Sequence, residues 1–160
     1  MKPSLYSIET CPIGSLFIMP KPSGEWLEED IGHYKMQGIT DVVSLLRSDE
    51  VAELNLTDEE RYCRKVSIDF VRFPIQDRGL PDLNSLKNLA LESAKILKSE
   101  RSLAIHCRAG IGRAGLLSCC ILQDLGLDAV EAIRSVSDAR GVTVPDTIEQ
   151  REFILNYMNQ

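Results

Sequence analysis

The run His106-Cys107-Arg108-Ala109-Gly110-Ile111-Gly112-Arg113-Ala114-Gly115 constrains the fold more than any other stretch of this chain. In front of it, Ser102 to Ile105 reads as a short apolar strand that delivers Cys107. Behind it, AGLLSCCILQDLG reads as a buried helix. A strand that hands over to a helix through a glycine-bearing loop belongs to an α/β sheet, and the loop then sits at the carboxyl edge, where such sheets bind ligands. The loop suits an anion. Backbone N–H groups entering a helix N-terminus converge on one spot, and the helix dipole adds partial positive charge there. Gly110 and Gly112 let the backbone curl closely around a phosphate, and Arg113 adds a planar fork for two of its oxygens. The same field favours the thiolate of a cysteine placed in it. Such a thiolate is a nucleophile able to attack phosphorus and form phosphocysteine.

The pairing of cysteine and arginine is selective. Six positions after Cys11, Cys63, Cys119 and Cys120 stand Phe17, Asp69, Leu125 and Gly126, so Cys107 alone has the arginine. The segment HCRAGIGRAG resembles the signature of the cysteine-dependent protein tyrosine and dual-specificity phosphatases: His-Cys, five residues, Arg, then Ser or Thr. RFPIQDRGLPD, from Arg72 to Asp82, resembles the mobile loop that carries the general acid in that superfamily. VVSLLRSDEV, from Val42 to Val51, and PDTIEQREFI resemble small members akin to kinase-associated phosphatase. The resemblance covers about residues 40 to 158.

The resemblance implies a metal-independent phosphomonoester hydrolase with no organic cofactor. Cys107 would be the nucleophile, and the loop residues Arg108, Ala109, Gly110, Ile111, Gly112 and Arg113 would hold the phosphate oxygens. Asp77, after Phe73-Pro74-Ile75-Gln76, matches the general acid. Asp82 is its rival, although a Pro-Asp pair before an amphipathic run is also a plain helix start. His106 is implied to tune the thiolate and order the loop; a satisfied core histidine fits equally. Gln150 aligns with a glutamine that helps place the hydrolytic water, or else is an exposed polar residue on a terminal helix. Arg108 either touches substrate at the rim or is solvated. The pattern is broken at Ala114, where the superfamily usually carries a hydroxyl that hydrogen-bonds the departing thiolate. The expected consequence is slower release of phosphate, not a dead site.

The rest of the chain fits one α/β domain over residues 1–160, with a single, mostly parallel sheet flanked by helices on both faces. Strands are expected near Leu5–Ile8, Leu16–Met19, Ile39–Leu46, Phe70–Ile75 and Leu103–His106. Ser23 is expected to cap a helix to about Gln37, with Leu27, Ile31 and Tyr34 on its inner side and Trp26 on the core face. Asp49–Asn55 reads as a short helix, and Thr57 with Glu60 reads as a capping box for another to Lys65. Longer helices are expected from Asp82 or Leu83 to Glu100, Arg113 to Leu125, Asp128 to Ser137 and Thr147 to Met158.

Composition narrows the partners. The net charge of −6 argues against nucleic acid or an anionic membrane surface as the main partner. No stretch approaches the ~18 apolar residues of a membrane span, and the start of the chain lacks a basic-then-apolar signal pattern, so the cytoplasm is the expected compartment. Five cysteines without paired spacing suggest no disulfide framework, and His33 and His106 with no C-x-x-C support no metal site. Cys119 and Cys120 read as small buried hydrophobes, while Cys63 or Cys11 could trap an oxidised Cys107. The expected substrate is a phosphorylated protein, and the chain is expected to be a monomer that also takes phosphate or similar oxyanions in the loop. No counterpart of the aromatic wall that makes a tyrosine-only cleft is evident, which favours dual specificity. A phosphoinositide substrate and a phosphate-binding module with weak catalysis are the alternatives; Ile111, where a lysine would suit a multiply charged head group, weakens the former.

Overall fold

In the computed structural model, which describes residues 2–159, the chain opens with β1 (Tyr6–Ser7) and β2 (Ser15–Met19). It continues through α1 (Leu27–Met36), β3 (Asp41–Ser44), α2 (Ser48–Glu53), α3 (Glu59–Lys65) and β4 (Asp69–Arg72). Then come α4 (Leu83–Lys98), β5 (Ser102–His106), α5 (Gly112–Asp124), α6 (Ala129–Arg140) and α7 (Ile148–Asn156), which runs into a 3-10 turn at Tyr157–Asn159. The strands form one sheet in the order β1-β2-β5-β3-β4. Only β1 is antiparallel to its neighbour; β2, β5, β3 and β4 are mutually parallel.

The central strands are apolar because both their faces are covered. Alternation along the pleat sends Ile18, Val43 and Ile105 into one cluster with α4, α5, α6 and α7. Met19, Val42 and Ala104 enter the other cluster, beneath α1 and α3. Helix α5 is the axis of the first layer, buried from Gly112 to Gln123. Leu86, Ala90 and Leu97 of α4 face the same core, as their spacing requires. Asp82 caps α4 by accepting from the Ser85 N–H at 3.0 Å, and Asp128 caps α6 by accepting from Glu131 N–H at 2.8 Å.

The parallel strands end together. Met19, Ser44 and His106 are register neighbours across β2, β3 and β5, and Ser44 pairs with Arg72 of β4. The segments that follow them therefore leave the same edge: Pro20-Lys21, Leu45 to Glu50, Phe73 to Asp77, and Cys107 to Gly112. This geometry brings four distant pieces of sequence to one place.

Three local expectations change. Helix α1 begins at Leu27, and Ser23 instead accepts from the Trp26 N–H at 3.2 Å in the turn before it. Trp26 therefore lies outside the helix, and it is 56% exposed instead of facing the core. Thr57 and Glu60 do not form a capping box: the α3 cap position falls on Asp58, which makes no side-chain cap bond, and Glu60 pairs with Arg64 at 2.9 Å. The turn Leu56–Glu59, closed by the Glu59 N–H on the Leu56 carbonyl at 3.1 Å, shifts the helix start past Thr57. Among the described residues no helix is long and apolar enough to cross a membrane.

Candidate active site

The loop from Cys107 to Gly112 is shaped by where its carbonyls are held. The Cys107 carbonyl accepts from His106 Nδ1 at 3.0 Å, and that of Arg108 from the Lys21 N–H at 3.1 Å. Arg140, at the end of α6, donates to the Ala109 carbonyl at 3.1 Å and to that of Gly110 at 3.2 Å. Four successive carbonyls are thus tied outward. In a trans peptide the next N–H points the opposite way, so the N–H groups of residues 108 to 111 turn inward together. Arg140 is itself stacked over the Tyr6 ring at 4.5 Å, which steadies the clamp.

Glycine is required at Gly110 and closely packed at Gly112. Gly110 has φ +72°, and a Cβ there would lie 2.4 Å from the Met19 carbonyl oxygen. At Gly112 a Cβ would approach Asp146 Oδ2 to 2.9 Å. The loop encloses a cavity of about 170 Å³ lined by Asp77, Arg78, Cys107, Arg108, Ala109, Gly112, Arg113 and Asp146. Ile111 packs its side chain against the core instead.

Arg113 is placed by a buried carboxylate. Its Nη1 donates to Glu50 Oε1 at 2.7 Å and to the Ile75 carbonyl at 2.9 Å, and its Nη2 donates to Glu50 Oε2 at 3.0 Å. Of five N–H donors these bonds use three. Nε–H and the second Nη2–H remain as a fork for an oxyanion, with Asp77 Oδ1 3.4 Å from Nη2. Burial raises the Glu50 carboxyl, but the bonds from Arg113 and the Arg47 N–H outweigh it and hold the group below the ordinary carboxylate range. The Glu50 pair therefore contributes stability above about pH 4.3, the unfolded value, and loses it as pH falls through the lower folded value. Denaturation free energy measured against pH will fall on acidification below that point, and Glu50→Gln will show a shallower slope there.

The other site residues fall as follows. Asp77 lies at the cavity mouth with its side chain 60% exposed. Asp82 is the α4 cap and does not line the cavity. Arg108 lines the rim and faces Glu50 at 3.4 Å and Glu53 at 3.5 Å, so it is a paired side chain, not a free one. Gln150 is fully buried instead of exposed on a terminal helix. Its Oε1 accepts from the N–H groups of Asp146 and Thr147, both at 3.2 Å, and its Nε2 donates to the Gly79 carbonyl at 3.2 Å. It braces the Asp77 loop against the start of α7. Ala114 is buried in the first turn of α5.

His106 points to the opposite face of the sheet from Cys107, where its Nε2 meets Glu59 Oε2 at 2.6 Å. Cys63 lies in that opposite cluster, away from Cys107, and burial pushes its thiol up to about 12. Burial likewise raises the thiols of Cys11, Cys119 and Cys120. None of the four lines the cavity.

A family model, cyclin-dependent kinase inhibitor 3 (CDKN3), matches residues 21–135. The chain belongs to the cyclin-dependent kinase inhibitor 3 family. The Rattus norvegicus cyclin-dependent kinase inhibitor 3 is 29% identical over 136 residues, which cover 84% of this chain and 64% of the relative. The chain thus spans under two thirds of the length of this relative. The Mus musculus protein tyrosine phosphatase domain-containing protein 1 is 28% identical over 155 residues, 88% of this chain and 20% of that protein. Among solved structures, a kinase associated phosphatase with its catalytic site cysteine substituted by serine superposes with a TM-score of 0.90 at 22% identity, covering 99% of this chain and 96% of the other. Tk-PTP in its active form gives 0.76 at 23% identity, covering 99% and 98%. The family member has a fold of the protein tyrosine and dual-specificity phosphatase type, as the signature loop implies.

Glu50, Arg140, Asp146 and Glu59 complete the site and its support, and sequence reasoning did not single them out. Glu50, Arg140 and Glu59 meet Arg113, Gly110 and His106 across long stretches of chain, and the local contacts of Glu50 with the Arg47 N–H and of Asp146 with Gln150 mark only helix starts.

Proposed function

We propose that this chain hydrolyses phosphate monoesters of phosphoproteins, phosphotyrosine and phosphoserine or phosphothreonine alike, through a phosphocysteine intermediate in the cytoplasm. The observation that carries this reading is a cavity with Cys107 in its wall, four inward N–H groups around it and two unspent Arg113 donors beside it. Oxygens of a transferring phosphoryl group spread negative charge, and a preorganised ring of donors stabilises it as it develops. Cys107 attacks phosphorus, the leaving oxygen takes a proton from Asp77, and water then cleaves the P–S bond with Asp77 as base. Gln150 acts by holding the Asp77 loop in place through Gly79. The small cavity and the apolar, inward-packed Ile111 favour a single phosphate over a multiply phosphorylated lipid head group.

The test is turnover of an aryl phosphate by the purified chain, in buffer with a metal chelator. Release of phosphate at undiminished rate is expected; an inactive wild type that still binds phosphate would instead make it a binding module.

Ala114 bears on the second step. A hydroxyl in its place would hydrogen-bond the departing thiolate, an interaction with a charged group worth roughly 1.5 kcal/mol or more. Ala114→Ser should raise steady-state kcat about tenfold and shrink the pre-steady-state burst seen in rapid-quench kinetics. No burst in wild type, with an unchanged kcat in the variant, would place the slow step before phosphocysteine breakdown.

A further inference from the structure

Behind the nucleophile, on the opposite face of the sheet, lies a polar cluster that no phosphate contact explains. The side chains of His106 and Glu59 are 0% and 1% exposed and meet at 2.6 Å through Nε2 and Oε2. The other ring nitrogen, Nδ1, lies 3.0 Å from the Cys107 carbonyl oxygen. A carbonyl only accepts, so Nδ1 carries a proton. If the ring were neutral, Nε2 would be bare, and so short a contact would need Glu59 to be protonated instead. Either way one proton occupies the 2.6 Å bond, and the pair is neutral as a whole.

The surroundings decide where that proton sits. The Glu59 charge raises the Tyr34 hydroxyl of α1 and the Cys63 thiol of α3, and Lys21, after β2, acts against a charge on His106; among the described residues the buried Glu59 Oε1 and Tyr34 hydroxyl have no hydrogen-bond partner. Ser44 of β3 is the register neighbour of His106, and its hydroxyl oxygen accepts from the Leu46 N–H. Burial and Lys21 oppose a charge on His106; the Glu59 carboxylate and the Cys107 carbonyl outweigh them and raise its pKa above the ordinary imidazole value. The ring stands between Glu59 and Cys107, so Cys107 faces the positive end of the pair.

We propose that Glu59 is a positioning residue for the nucleophile: it holds His106 as an imidazolium whose Nδ1–H pins the Cys107 carbonyl, and so sets a buried positive charge one residue from the thiol. The pinned carbonyl also keeps the Arg108 N–H, in the same peptide, turned into the cavity. A cation held against the backbone carbonyl of Cys107 favours the ionised form of its thiol through that peptide. The role of the thiol itself rests on the reading of Cys107 as nucleophile.

Glu59→Gln tests the charge and little else. Glutamine has the same shape, and its amide can donate to a bare Nε2 while Nδ1–H stays on the carbonyl. The acid limb of kcat/KM for an aryl phosphate should move up by about one pH unit, with kcat/KM on the alkaline side of the limb changed less than about twofold. The pH dependence of Cys107 alkylation by iodoacetamide, followed by mass spectrometry, should move by the same amount. Glu60→Gln, which removes an exposed carboxylate bonded to Arg64, should move neither. Unmoved limbs in Glu59→Gln would mean that Glu59 only fills space, and the proposal would fail.

Wild type offers a second measurement should that variant not fold. Ring nitrogen shifts of His106 at neutral pH should report both nitrogens protonated; a neutral His106 ring would overturn the proposal. Alkylation and ring shifts need no turnover, so an inactive wild type would sink the phosphatase reading while leaving Glu59 separately tested.

Discussion

Cys107→Ser will abolish the proposed phosphatase turnover while leaving the oxyanion cradle in place. The cradle does not depend on the sulfur. Its carbonyl tethers run to His106, Lys21 and Arg140, and Arg113 is fixed by Glu50 and Ile75. A serine hydroxyl has no comparable ionised form at neutral pH and no base is bonded to it here, so the chemical step loses its nucleophile. The expected fall in kcat is at least about 10⁴-fold. Phosphate should still bind, because the tethered loop and the Arg113 fork that would hold its oxygens remain. Aryl phosphate assays and calorimetric titration with phosphate read the two effects separately. Activity within about tenfold of wild type would remove Cys107 from the mechanism. Loss of both activity and binding, in a variant that remains folded, would mean that the sulfur shapes the loop.

Much of the fold and the centre of the site are legible in the sequence because their signals are local. The strand, loop and helix around Cys107 are contiguous, and Asp82 announces itself as a cap by standing just before an amphipathic run. What is not legible is the set of partners. Glu50 reaches Arg113 across 63 positions, Glu59 reaches His106 across 47, and Arg140 reaches Gly110 across 30. Glutamate and arginine are ordinarily surface residues, so nothing local marks these as buried or as clamps. Only the convergence of four strand ends at one edge makes them neighbours. Trp26 fails for the converse reason. A large aromatic at helical spacing suggests a core face, but the helix starts one residue later and the ring is left in solvent. The sequence leaves Gln150 between two readings, and its burial follows from the Asp77 loop folding back on the start of α7, where Gly79 accepts from its Nε2.

Asp77→Asn will lower kcat by roughly 10² to 10⁴ for alkyl phosphates, the usual contribution of a general acid. Departure of an alkoxide needs a proton, and departure of an electron-poor phenolate needs much less. The loss should therefore shrink as the leaving group becomes more acidic, and that dependence, not the size of the drop alone, identifies proton donation. The structure supplies two competitors. Asp82 accepts from the Ser85 N–H at 3.0 Å and from the Ser85 hydroxyl at 2.9 Å. These bonds hold its carboxyl below the ordinary aspartate range and keep it at the head of α4. Asp82→Ala should lower the thermal midpoint modestly, as for other lost helix caps, with no change in leaving-group dependence. Asp146 lines the cavity beside Gly112, with its N–H held by Gln150. Measuring kcat for the Asn variants of Asp77 and Asp146 across a series of alkyl and aryl phosphates separates the two. A leaving-group-dependent loss in Asp146→Asn, with none in Asp77→Asn, would move the general acid to the segment before α7.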